Sequence, residues 1–271
     1  MVEVNREPEA AEFFADLWPV FTSWRSKTGR GVRVAVIDSG IDAEHPGLKA
    51  RVKSSVEIFQ QDGKYNFRPS TVGDDVGHGT ACAGIIAQVA PDAELHSVKM
   101  MRGYGMHEPY LACLDYAVRQ NMQVINLSVG ATAKAMYKQL HDILHRAYRR
   151  GCIIVAAASN IPNDPVYPSV LTSSLISVVK KECTDPLDFG FLPRQVYELV
   201  ARGVNVETTW PGGGYRQVTG NSFATPHVAG IVARLLEADP NLQPFQIKTL
   251  LYAIARQNEK RLAAGAAPDQ R

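Results

Sequence analysis

The segment GVRVAVIDSG (31–40) contains a run of apolar and small residues that ends at Asp38. Apolar residues fill consecutive positions, which is typical of a strand that is buried on both faces of a parallel sheet. Four further segments share this pattern: ELHSVKM (94–100), QVINLS (123–128), CIIVAAAS (152–159) and LISVVK (175–180). The sequence therefore predicts several buried strands, with 31–38 as the first.

Helical patterns lie between and after these strands. In 134–150 the apolar residues fall on one face of a helix and most of the charged residues fall on the other. The same period occurs in 110–120, in 223–237 and around 247–254. Alternation of strands and helices predicts an α/β fold with a mainly parallel sheet.

The composition narrows the possible functions. The chain has 271 residues, of which 45 % are apolar, and a net charge of only +2, so broad electrostatic binding to nucleic acid is not expected. No stretch approaches the roughly 18 apolar residues of a membrane span. The first residues, MVEVNREPEAAEFFADLW, include early acids and no apolar core, unlike a signal peptide. We expect a cytoplasmic protein, unless the chain is a trimmed mature form.

The cysteines are too widely spaced for a metal-binding pair, because at least 30 residues lie between neighbouring ones. We expect all four to be free thiols that pack as small apolar residues. They are Cys82, Cys113, Cys152 and Cys183.

Four polar residues stand out, and three of them lie where α/β proteins carry their active sites, after strands or at helix starts. The four are Asp38 in VIDSG, His78 in GHGT, Asn160 in AAASN and Ser222 in GNSFATPHVAG. A serine attacks well only when a base removes its proton, and histidine is that base near neutral pH. A carboxylate fixes the imidazole tautomer, and an amide can stabilise an oxyanion. An unperturbed imidazole predicts loss of activity below a midpoint of about pH 6–7.

The sequence resembles the subtilisin family of serine peptidases over residues 30–237. The matching segments are VAVIDSGID (34–42), HPGLK (45–49), GHGTACAGI (77–85), VINLSVG (124–130), IVAAASN (154–160), YPS (167–169) and GNSFATPHVAGIVA (220–233). The resemblance implies a three-layer sandwich in which helices flank a mainly parallel sheet of about seven strands. It also implies endopeptidase chemistry through an acyl-enzyme.

The resemblance implies a role for each candidate residue. Asp38 is the orienting carboxylate, His78 the general base, Ser222 the nucleophile and Asn160 the oxyanion donor. The resemblance also implies that Ser128, Val129 and Gly130 pair with the substrate backbone by strand addition. With these residues, Ala158 and Ser159 line the pocket for the substrate side chain before the scissile bond.

The sequence departs from the family pattern at several positions. Asn221 replaces the usual Thr beside the nucleophile, which predicts altered support of the oxyanion, and Phe223 replaces the usual Met. The calcium-binding loop that often follows the histidine is missing, and Gly47 stands where an Asp ligand is common, so we expect neither a metal nor a cofactor. The loop at 161–166 has about half the usual length, which predicts a narrow choice of substrate side chains.

These features predict three regions. Residues 1–29 form an N-terminal extension that packs on the domain, 30–257 form the subtilisin-like peptidase domain, and 258–271 form a frayed tail. The expected function is a serine endopeptidase of restricted specificity, for example one that processes a precursor or leader peptide inside the cell. Its partner is then a peptide or protein substrate, without nucleic acid or membrane, and the chain is expected to be a monomer. Two alternatives remain open: an inactive peptide-binding relative, and a transpeptidase or macrocyclase.

Overall fold

The computed structural model describes residues 15–100, 107–130, 134–161, 166–193 and 195–263. The strands within these ranges are β1 (Arg33–Asp38), β2 (Val52–Gln61), β3 (Lys64–Pro69), β4 (Glu94–Lys99), β5 (Val124–Leu127), β6 (Ile153–Ala157), β7 (Ile176–Lys181), β8 (Phe189–Phe191), β9 (Leu199–Arg202), β10 (Val206–Trp210) and β11 (Gly214–Val218). The α-helices are α1 (Trp18–Ser23), α2 (His78–Val89), α3 (His107–Arg119), α4 (Tyr137–Arg149), α5 (Asn221–Ala238) and α6 (Pro244–Ala263). Short 3₁₀ turns at Trp24–Ser26 and Lys134–Met136 follow α1 and precede α4.

One large sheet runs through the molecule in the order β3-β2-β4-β1-β5-β6-β7-β9-β8. The seven strands from β2 to β9 in this order pair in parallel. The edge strands β3 and β8 pair antiparallel with their neighbours, and β10 and β11 form a separate hairpin. The predicted α/β class with a mainly parallel sheet is confirmed, and antiparallel strands extend the parallel part at both edges.

Each face of the sheet has its own apolar core, and the alternation of side chains along β1 shows why. Val34 and Val36 pack with α2, α5 and α6, while Ala35 and Ile37 pack with α3 and α4. Successive side chains of a strand point to opposite faces, so a strand covered on both sides must be apolar at every position. The uninterrupted apolar run in the sequence follows from this requirement. With helices packed on both faces of the sheet, the fold is a three-layer sandwich.

The element boundaries differ from the prediction at several ends. The strand predicted at 123–128 ends at Leu127, and that predicted at 152–159 ends at Ala157, so the polar residues after them leave the sheet. The helix predicted at 134–150 begins with a 3₁₀ turn, and its α-helical part is Tyr137–Arg149.

Both ends of the described chain join the domain. Leu17, Val20 and Trp24 belong to the core beside α5, so the described part of the expected N-terminal extension packs on the domain. At the other end, α6 continues to Ala263 instead of fraying from 258, and buried Asn258 donates a hydrogen bond to Phe189 O at 3.1 Å. Residues 1–14 and 264–271 lie outside the described ranges. None of the helices in the described ranges is long and apolar enough to span a membrane.

Candidate active site

An aspartate–histidine pair forms above the centre of the sheet. Asp38 is the last residue of β1, which lies between β4 and β5, and its side chain is buried. His78 is the first residue of α2, and its Nδ1 lies 2.9 Å from both carboxylate oxygens of Asp38. Nδ1–H donates to the carboxylate, so the neutral ring keeps its lone pair on Nε2. That tautomer is the one that a general base requires.

The surroundings of His78 raise its pKa above the ordinary value of 6.5. Burial is the largest single influence and would lower the pKa, but the interactions with neighbouring groups, first among them the charge of the Asp38 carboxylate, together raise it. Cys82 adds little charge at neutral pH, because burial also raises the pKa of its thiol and keeps it protonated. The raised pKa predicts a midpoint above 6.5 for the loss of activity, whereas an unperturbed ring predicts a midpoint of about pH 6–7.

Asp74 holds the turn that presents His78. Its Oδ1 accepts hydrogen bonds from the backbone N–H groups of Val76 (3.0 Å) and Gly77 (2.8 Å) and from Ser39 Oγ (2.9 Å). Its Oδ2 accepts from the N–H and hydroxyl of Thr80, at 2.8 and 2.7 Å. Gly77 has φ +97°, a left-handed conformation that glycine adopts without a Cβ clash. Asp74 was not predicted from the sequence, although an aspartate shortly before a helix start is the signal of an Asx-type cap.

Ser222 lies in the first turn of α5, and its carbonyl is held from outside the helix. Pro226 has no N–H to donate to the carbonyl four residues earlier. Instead, Ser128 Oγ donates to Ser222 O at 2.7 Å and Cys82 Sγ lies 3.6 Å from the same oxygen. The proline thus frees the carbonyl of Ser222 to fasten the start of α5 to the segment that follows β5.

These contacts bring Ser222 beside the Asp38–His78 pair. The same Cys82 Sγ lies 3.9 Å from His78 Nδ1, and the rings of His78 and Phe223 are 5.0 Å apart between centroids. Among the described residues, the hydroxyl of Ser222 makes no hydrogen bond to His78. Catalytic hydrogen bonds of this kind often tighten only when substrate is bound.

Asn160 contacts the start of α5. It follows β6, and its Oδ1 accepts a hydrogen bond from the backbone N–H of Asn221 at 2.9 Å. Its Nδ2 has no hydrogen-bond partner within the described part of the chain. The N–H of Ser222, in the first helical turn, has no intrahelical acceptor either. Two unused donors therefore lie at this end of α5.

The five residues with an implied substrate-binding role lie beyond the carboxyl ends of two adjacent strands. Ser128, Val129 and Gly130 follow β5, while Ala158 and Ser159 follow β6, and these strands pair in parallel. Ser128–Gly130 belongs to no strand of the structure, which leaves its backbone outside the sheet ladder.

Val166 packs closely against Gly130, since a Cβ added to that glycine would collide with Cγ1 of Val166. In the short loop before Val166, Ile161 is 64 % exposed. Pro162 and Pro165 lie outside the described residues.

One group of metal-binding residue types is found within the described ranges. Ligand atoms of Asp38, His78 and Cys82 lie within 4.8 Å of one another. The Asp38 oxygens already accept from His78, and the thiol of Cys82 is protonated at neutral pH. These contacts fit proton transfer better than metal coordination. All four cysteines are free, and three of them are buried.

A mainly parallel sheet with an aspartate–histidine pair and a helix-borne serine above its carboxyl edge defines an α/β protein of the subtilisin-like class. The model of the subtilase family matches residues 29–267. The chain belongs to the subtilase family.

Curated relatives and a solved structure agree with this assignment. The chain is 32 % identical over 247 residues to subtilisin NAT of Bacillus subtilis subsp. natto, covering 84 % of this chain and 61 % of that protein. It is also 32 % identical over 247 residues to the subtilisin of Bacillus pumilus, covering 84 % and 85 %. The S41 psychrophilic protease superposes with a TM-score of 0.70 at 26 % identity, covering 84 % of each chain. The chain spans about three fifths of the length of subtilisin NAT.

Proposed function

We propose that this protein is a serine endopeptidase that hydrolyses peptide bonds through an acyl-enzyme. The observation that carries the proposal is the Asp38–His78 pair, with both carboxylate oxygens 2.9 Å from Nδ1, beside a serine at a helix start. The Asp-His-Ser order along the chain is one of the known orders of this triad.

The proposed reaction begins when Ser222 Oγ attacks the carbonyl carbon of the scissile bond. His78 Nε2 takes the hydroxyl proton, and Asp38 stabilises the imidazolium that forms. The tetrahedral oxyanion accepts hydrogen bonds from Asn160 Nδ2 and from the N–H of Ser222. His78 then gives its proton to the leaving amine, which departs and leaves an acyl ester on Ser222. A water molecule, deprotonated by His78, attacks that ester, and the released serine oxygen regains the proton.

The alternatives differ in what happens to the acyl-enzyme. An inactive peptide-binding relative would need no ordered imidazole, yet every position that the chemistry requires carries a suitable group. A transpeptidase or macrocyclase would pass the acyl group to an amine instead of water. Product masses from a peptide substrate distinguish the three, because hydrolysis adds one water to the two fragments together and ligation does not.

We further propose that the specificity is restricted and suited to processing a precursor or leader peptide inside the cell. Val166 fills the space next to Gly130, which belongs to one of the two segments implied to line the specificity pocket. A branched side chain at that place favours a small substrate residue before the scissile bond. One additional methylene in such a pocket changes selectivity by about 10–200-fold.

The test is digestion of a peptide library in which the residue before the cut varies, with Ser222→Ala as the inactive control. We expect cleavage after one dominant small residue, and Val166→Gly should extend cleavage to large apolar residues by about tenfold or more. Efficient cutting by the wild-type protein after many unrelated residues would contradict restricted specificity. Equal cutting by Ser222→Ala would contradict the proposed function itself.

A further inference from the structure

Asn221, the residue before the proposed nucleophile, has a side chain that is almost fully used in hydrogen bonds. It is 3 % exposed. Its Nδ2 donates to Ser159 O at 2.7 Å and to Ala158 O at 3.3 Å. Its Oδ1 accepts from the backbone N–H of Lys180 at 2.9 Å. A single buried amide therefore joins the start of α5 to the ends of β6 and β7.

The backbone of Asn221 completes the connection to Asn160. Its N–H donates to Asn160 Oδ1 at 2.9 Å, so the oxygen end of that exposed amide faces α5. The nitrogen end must then face away from Asn221. An unrestrained Asn160 amide could rotate and present its oxygen to an oxyanion, which would repel the negative charge. The position of the 158–160 segment, which Asn221 fixes at two carbonyls, keeps Asn160 Oδ1 within reach of the Asn221 N–H.

We propose that Asn221 is a positioning residue for the oxyanion donor Asn160, and this proposal rests on the proposed peptidase function. Asn221 does not touch the substrate. It holds the carbonyls of Ala158 and Ser159 in place, so that Asn160 Nδ2 points to the place where the oxyanion forms. Hydrogen-bond donors that are ordered before the reaction stabilise a transition state more than mobile ones.

The proposal predicts a loss in kcat with little change in KM, because the oxyanion exists only in the transition state. Removal of an oxyanion donor itself, as in Asn160→Ala, should lower kcat by roughly 10²–10³-fold. Asn221→Ala should lower kcat less, on the order of 10–10²-fold, since the Asn160 donor remains but is misplaced. Asn221→Asp keeps the acceptor for Lys180 but loses both hydrogen bonds to the carbonyls, so its kcat should be no higher than that of Asn221→Ala.

The experiment is a double-mutant cycle on the full chain, with peptide hydrolysis as the activity and Asn241→Ala, at an exposed asparagine, as the matched control. Circular dichroism and thermal unfolding report whether each variant is folded. If Asn221 acts through Asn160, adding Asn221→Ala to Asn160→Ala should change kcat by less than about twofold. The Asn241→Ala variant should behave like the wild-type protein in both backgrounds.

Several results would overturn the proposal. The same fold-loss from Asn221→Ala in both backgrounds would show that Asn221 does not act through Asn160. An increase in KM at unchanged kcat, or failure of both Asn221 variants to fold, would assign it a role in binding or in the fold alone. A folded wild-type protein without Ser222-dependent hydrolysis would overturn the peptidase function and this proposal together, whereas additive losses in an active enzyme overturn only this one.

Discussion

Replacing Asp74 with alanine should destabilise the protein and slow its reaction, because one buried carboxylate accepts five hydrogen bonds in the turn before His78. The N–H groups of Gly77 and Thr80 are buried, and alanine leaves both without this acceptor. Each buried, unsatisfied donor costs about 1–3 kcal/mol, so the two together with the remaining lost bonds predict a loss of about 3–5 kcal/mol. His78 begins the helix that this turn caps, and misplacement by about 1 Å predicts a fall in kcat of about 10²-fold.

Urea unfolding of Asp74→Ala in a Ser222→Ala background measures the free energy of unfolding without self-digestion. Peptide hydrolysis by the Asp74→Ala single variant measures the fall in kcat. Asp142→Ala, at an exposed aspartate on α4, is the matched control and should change stability by no more than about 0.5 kcal/mol. Equal free energies of unfolding for Asp74→Ala and Asp142→Ala would refute the reasoning about the cap. Lower stability with unchanged kcat would refute the link from the cap to His78.

Three further predictions concern the pH dependence of activity, the packing at Gly84 and the effect of removing metal ions. Activity should rise with pH through the raised pKa of His78, since only the neutral ring accepts a proton. The midpoint of the acid limb of kcat/KM should exceed 6.5. A midpoint at or below that value would show that Asp38 and its neighbours do not outweigh the effect of burial on this pKa. Gly84→Ala should lower the free energy of unfolding by about 1–3 kcal/mol, because its Cβ would meet Thr208 Oγ1 at 2.5 Å. Gly214→Ala is the control and should leave this free energy unchanged, because a Cβ there would have no atom within 4 Å. Chelation with EDTA should shift the melting temperature by no more than about 1–2 °C, and a larger loss would reveal a structural cation.

The buried strands could be predicted from the sequence because burial on both faces demands apolar side chains at every position. β1 shows this, with five consecutive buried residues. β2 was not predicted, because most of its ten residues are partly or fully exposed and give no such run. β9 was not predicted either, because only two of its four residues are buried and they give no continuous apolar run.

The candidate site was predictable only where a residue type carries its own chemistry. Asp38, His78, Asn160 and Ser222 stand in recognisable segments, and the structure brings them to one edge of the sheet. The importance of Asp74 depends on five partners that the folded turn collects. The contacts of Asn221 depend on β6 and β7 meeting α5, which no local pattern reveals.

The proposed reaction depends on the activation of Ser222 as a nucleophile by His78 and Asp38. The direct test is reaction of the folded protein with a fluorophosphonate, followed by peptide mass spectrometry to locate the modified residue. We expect one label, on Ser222, and no labelling in Ser222→Ala. In His78→Ala, labelling should be slower by several orders of magnitude, on the order of 10⁴–10⁶-fold. A folded wild-type protein that takes no label, or takes it on a different serine, would contradict the proposed activation.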